Sequence, residues 1–136
     1  MADAVTSQTL FDGERVAIMK FTNISDGTGE TAVTKVDVAT LISSGAGRAC
    51  TGVIVTKITS ICHGMEVRMF WGASTNVPFF MATVNTNYMN DFGPIVSTGL
   101  TNNSGAGKTG NIVFTTSDAS AGDTYTVVLE MVKTYA

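Results

Sequence analysis

Charge is what this chain has least of: Asp, Glu, Lys and Arg make up 14% of it, against roughly a quarter in an ordinary soluble domain. Its basic residues, Arg15, Lys20, Lys35, Arg48, Lys57, Arg68, Lys108 and Lys133, stand singly, and the net charge is -3. No basic footprint able to neutralise phosphates results, so nucleic acid is not an expected partner. Cysteine is scarce too. Cys50 and Cys62 are too few for the disulfide framework of a small secreted domain. Whether they pair depends on the fold bringing their α-carbons within about 7 Å, and free buried thiols are the expectation. No run approaches the roughly 18 consecutive apolar residues of a transmembrane helix; the nearest, Val53 to Ile61, is interrupted by Thr. No membrane partner is expected. Met1 to Leu10 lacks the basic cluster and apolar run of a secretory signal, which predicts a protein that stays where it is made.

Helical signal is missing as well. Only Val38 to Ser44 can wind a turn or two before Gly45 and Gly47 stop it, and nowhere else does an apolar 3.6-residue period persist. What is present is 44% apolar residues interleaved with Thr, Ser, Asn and Gly, which suit pleated edges and tight turns. Tyr125, Val127, Leu129 and Met131 alternate with Thr124, Thr126 and Glu130, the period of two of a strand with one face inward. Val67, Met69 and Trp71 alternate likewise with Glu66 and Arg68, except that Phe70 falls on the polar side. Arg15 to Asn23 and Cys50 to Ile61 alternate less cleanly, as strands do when both faces are partly covered. Thr31 to Val38, Val77 to Val84 and Asn111 to Thr116 are further short strands; Pro78 restricts its own to a sheet edge or a later start. Asn85 to Gly110 reads as a long ordered excursion anchored by Phe92, Pro94, Ile95, Val96 and Leu100. The expected fold is all-β: a single antiparallel sandwich or barrel of about seven or eight strands with one long ordered loop. One domain spans 1–136, with residues 1–12 a candidate N-terminal arm.

Each motif with a chemical flavour has a plainer explanation. Ser104 to Thr109 ends like a phosphate-binding loop, but Asn102 stands where its first glycine belongs, and the residues that follow favour a strand over the required helix. His63, the only histidine, neighbours Cys62; in a strand the two point to opposite faces and cannot easily grip one metal ion. Asp12 with Glu14, and Asp118 with Asp123, are close enough in sequence to suggest acid–base pairs, but their surroundings read as solvated turns. Asp26 to Glu30 lacks the alternating acidic ligands of a calcium loop. No catalytic, cofactor-binding or metal-binding residue is assigned, no cofactor is expected, and the chain does not read as an enzyme.

The larger apolar side chains carry the remaining functional argument. Core packing accounts for most of them, but Phe79 and Phe80 are consecutive and would face opposite ways in a regular strand, leaving one to meet a second subunit or an overlying loop. With Leu10 and Phe11 in the arm, Phe70 on the polar side of its strand and Phe92 in the long loop, they form the candidate interface set. Asp12-Gly13-x-Arg15 followed by Lys20, then Asp26-Gly27-x-Gly29-Glu30 and Lys35-Val36-Asp37, resembles the opening of a family of tailed-bacteriophage virion structural proteins. Asp91-Phe92-Gly93, Gly99-Leu100-Thr101-Asn102, Gly105 to Gly110 and Gly122-Asp123-Thr124-Tyr125 agree with it in style. The resemblance implies a small β protein of the virion, made in the host cytoplasm. It would be a head decoration (cement) protein that stabilises the capsid by binding the lattice of the major capsid protein as an oligomer, a trimer being favoured. A tail-tube, neck or fibre element of the particle is the alternative, as is a carbohydrate- or receptor-binding β module, which would need Trp71 or Tyr88 exposed.

Overall fold

A computed structural model describes residues 3–85, 87–91 and 99–135. Among these residues nine strands follow one another: β1 (Ala4–Asp12), β2 (Val16–Ile24), β3 (Val33–Val36), β4 (Cys50–His63), β5 (Glu66–Trp71), β6 (Val77–Ala82), β7 (Asn87–Asp91), β8 (Ile112–Ser117) and β9 (Thr124–Tyr135). They form two antiparallel sheets, one ordered β1-β2-β9-β4-β7 and the other β3-β8-β5-β6. The all-β sandwich expected from the alternation is the fold observed. Only a 3-10 turn, Val38–Thr40, represents the helical stretch, capped by the Asp37 carboxylate on the Ala39 N–H.

The core lies between the sheets. Tyr125, Val127, Leu129 and Met131 of β9 enter it on every second residue, joined by Ala17, Met19 and Phe21 of β2 and by Val55, Ile58 and Cys62 of β4. The opposing sheet sends in Val67, Met69, Trp71, Ile112 and Phe114. Burying each large apolar side chain contributes about 1.5–3 kcal/mol, and edge contacts between Phe21 and Phe114 and between Phe114 and Tyr125 tie the two layers together.

Three details depart from the sequence reading. Residues 4–12 of the candidate arm are strand β1, which pairs with β2 from Ala4↔Ile24 to Asp12↔Ala17. Both faces of β1 from Ala4 to Phe11 are exposed, because the four-stranded sheet does not extend beneath it. Second, Phe79 and Phe80 do not face opposite ways. Met69 pairs with Phe80 and Phe70 with Pro78, so Phe79 is the extra residue of a β-bulge, and both phenylalanines pack against the core. Third, Asp12 is not solvated: its carboxylate pairs with the buried ammonium of Lys133, which also donates to the Ile42 carbonyl. As its proline requires, β6 is a sheet edge. Within the long excursion lie β7, paired with β4, and Leu100, bridged to Val55.

Candidate interaction surfaces

The outer face of the five-stranded sheet is built by the residues that alternate with the core. Across it run rows fixed by the strand register: Thr6, Thr22, Thr126, Ile61 and Asn87 form one, and Gln8, Lys20, Val128, Thr59 and Met89 the next. Val16, Val132 and Ile54 make a third, and Ile18, Glu130 and Lys57 lie between. Ile24 and Ile61 are more than half exposed, and Met89 is 85% exposed. Where side chains are described, the ionisable ones on this face are Lys20, Lys57, Glu130 and His63, and the register sets Asp91 opposite Lys57. The described residues therefore leave a broad, sparsely charged, β-branched sheet face uncovered. A soluble monomer ordinarily covers such a face with charge.

On the opposite sheet, Phe70, Pro78 and Met81 line a shallow groove whose rim carries the Glu66–Arg68 ion pair at 2.6 Å. The sequence-derived interface residues divide accordingly. Leu10 and Phe11 are exposed on β1, at 49% and 54%. Phe70 is half-buried in the groove, Phe79 and Phe80 are largely occupied by the core, and Phe92 lies outside the described residues. Sequence reasoning missed Pro78 and Met81, which the bulge turns outward, and the Ile24, Ile61, Met89 and Val128 positions. For Ile24 and Ile61 a signal existed in the poor alternation of β2 and β4, whose second face was apolar too.

The chemically suggestive groups settle into structural roles. Loop 104–109 has no helix behind it; Ala106 accepts from the Ser74 N–H, Thr109 donates to Gly72, and the chain proceeds into β8. Cys62 is buried while His63 is exposed on the opposite face. Both cysteines are free. Burial pushes the Cys50 thiol upward and that of Cys62 up to about 11, which keeps both poor nucleophiles. Among the described residues no three His, Cys, Asp or Glu side chains gather as a metal site. Asp123 accepts from the Ser120 N–H three residues earlier, as turn-formers do, and Glu14 accepts from the Gly45 N–H of a distant loop. Trp71 is fully buried, stacked on Phe79 with ring centroids 4.3 Å apart, and so offers no platform to a sugar; the Tyr88 side chain lies outside the described residues.

Polar chemistry concentrates instead at one end of the sandwich. Loop 25–29 lies at this end. It receives the Asp3 carboxylate, whose Oδ1 accepts from the backbone N–H groups of Asp26 and Gly29 and from the Ser25 and Thr28 hydroxyls. Partial burial pushes the Asp3 carboxyl up, but the bonds from Asn23, Asp26 and Thr28 outweigh it and hold it at about 2. Directly inward, Glu30 accepts from Asn23 at 2.9 Å and from the Tyr125 hydroxyl at 2.6 Å, and pairs with Lys35 at 2.5 Å. Burial and the adjacent Glu30 carboxylate push the Tyr125 phenol far above its ordinary range.

Comparison with protein-family models, with curated proteins and with solved structures finds no match to this chain.

Proposed function

We propose that this chain is a non-enzymatic structural subunit of a bacteriophage particle that decorates and stabilises the capsid, binding its lattice as an oligomer, with a trimer favoured. The observation carrying this reading is the open outer face of the five-stranded sheet, with its Ile, Val and Thr rows and few charges. Copies arranged by symmetry present like charges to one another, so a neutral face associates where a charged one repels. Its apolar positions then supply the driving force, and its threonines supply hydrogen bonds at the margin. The exposed outer edge of β1 adds a row of backbone donors and acceptors for a neighbouring strand. A subunit that binds only the assembled shell stabilises that shell by its binding free energy. The resemblance to virion structural proteins supplies the particle, and the surface supplies a reason for the chain to be in one.

The test uses purified protein and phage capsids stripped of accessory proteins. Native mass spectrometry is expected to give a single closed oligomer, and co-sedimentation a saturable stoichiometry on capsids. Val128→Glu, on the open face, is expected to abolish both while leaving the circular-dichroism spectrum unchanged. A strictly monomeric protein that does not sediment with capsids overturns the reading.

A further inference from the structure

Lys35, Glu30 and Asn23 form a group whose chemistry exceeds that of an ion pair. Lys35 belongs to β3 of one sheet and Asn23 to β2 of the other. The Lys35 side chain is 3% exposed and Asn23 is 1% exposed. Between them lies the Glu30 carboxylate, with Oε2 at 2.5 Å from the Lys35 Nζ and Oε1 at 2.9 Å from the Asn23 Nδ2. Amine and amide therefore sit on the two oxygens of one buried carboxyl group. Asp3 Oδ2 holds the same Nδ2 at 3.1 Å, and the Tyr125 hydroxyl donates to Glu30 Oε1. With Nδ2 placed between two carboxylates, the amide orientation is fixed, and its Oδ1 is left buried without a hydrogen-bond partner.

An ion pair alone is a poor reason for this arrangement. Taking a lysine and a glutamate out of water costs several kcal/mol per ion, and well-packed apolar side chains of similar volume often stabilise a fold as well or better. We infer that Lys35 and Asn23 join autocatalytically in the folded chain, forming an isopeptide bond between the two sheets with Glu30 as the proton carrier. Nζ, relieved of a proton by the Glu30 carboxylate 2.5 Å away, attacks Cγ of Asn23. The Nζ–Cγ bond forms and the Cγ–Nδ2 bond breaks. Both protons given up by Nζ pass through Glu30 to the departing nitrogen, which leaves as ammonium, and Glu30 returns to its carboxylate. No oxidant, reductant or further reactant takes part. Fixing amine and amide against one acid is the kind of preorganisation that raises effective concentration by many orders of magnitude.

Lys133 provides an internal contrast. It is also buried, but its partners are the Asp12 carboxylate and the Ile42 carbonyl, with no amide in the set. It is expected to remain an ion pair.

Mass spectrometry of the folded, purified full chain tests the bond. Trypsin cleaves an unlinked chain after Lys20 and again after Lys35. The linked chain skips Lys35 and yields one peptide from Phe21 to Arg48 that is one ammonia lighter than its sequence. The wild type is expected to show this peptide and the matching deficit in intact mass after denaturation, and Lys35→Arg and Glu30→Gln are expected to show neither. Full sequence mass and cleavage after Lys35 in wild-type protein that is folded by circular dichroism overturn the proposal. So does an ammonia deficit that persists in Lys35→Arg. Because the decisive reading comes from the wild type, a variant that fails to fold leaves the test intact.

Discussion

At the scale of single residues, Asp3 does more than its place near the start of the chain suggests. One carboxylate gathers the Ser25 to Gly29 loop and touches Asn23, so it fastens the beginning of β1 to the turn that follows β2. Hydrogen bonds to a charged group contribute about 1.5–3 kcal/mol when well sheltered. For this partly exposed group, Asp3→Ala is expected to cost about 1–2 kcal/mol in urea unfolding and to speed amide hydrogen exchange along Ala4 to Thr9. The pH dependence follows from the lowered carboxyl. Its folded value of about 2 lies below the ordinary 3.8, so its stabilisation is complete above the latter and is lost as pH falls through the former. The wild type is therefore expected to lose more stability than Asp3→Ala between about pH 4 and 2. Equal losses across that window in acid titrations followed by circular dichroism would refute the clasp.

Among the elements, the long alternating strands and the short β3, β6 and β8 were readable from the residues, whereas β1 and the bulge in β6 were not. The pattern Tyr125, Val127, Leu129, Met131 survives unaltered in β9, because a central strand with one buried face has little freedom to deviate. Pro78 announced an edge for the same physical reason that it occupies one: it has no N–H to give a neighbour. The bulge in β6 was hidden. Period-two logic sends Phe79 and Phe80 apart, whereas one inserted residue turns both inward and hands the outer face to Pro78 and Met81. Nor did β1 carry a strand signature, since both its faces meet water and its residues, Ala-Val-Thr-Ser-Gln-Thr-Leu-Phe-Asp, need not alternate. The polar group around Glu30 was invisible, because Asn23, Glu30, Lys35 and Tyr125 meet only when the two sheets close. The bulge makes a contrast that can be measured. Phe79→Ala, which removes the ring stacked on Trp71, is expected to cost about 2–3 kcal/mol and to shift tryptophan emission to longer wavelength. Met81→Ala, its exposed neighbour, is expected to change stability by no more than about 0.5 kcal/mol. Similar costs for the two would remove the bulge from the account.

For the molecule as a whole, the sheets differ in width, and the wider one turns its neutral side outward. On the proposed reading, the apolar residues that blurred the alternation of β2 and β4 belong to strands covered twice, once by the core and once by another protein. The same topology makes β9 the hinge of assembly for the chain itself. Its neighbours are β2, about a hundred residues earlier, and β4, so most pairings are distant in sequence, and refolding from urea is expected in the millisecond-to-second range of all-β domains. Microsecond refolding in stopped-flow or temperature-jump records would contradict that topology. During synthesis the consequence is sharper. Until Tyr135 clears the ribosome, β2 and β4 are two sticky ribbons with a vacant lane between them, which a neighbour's strand can fill first.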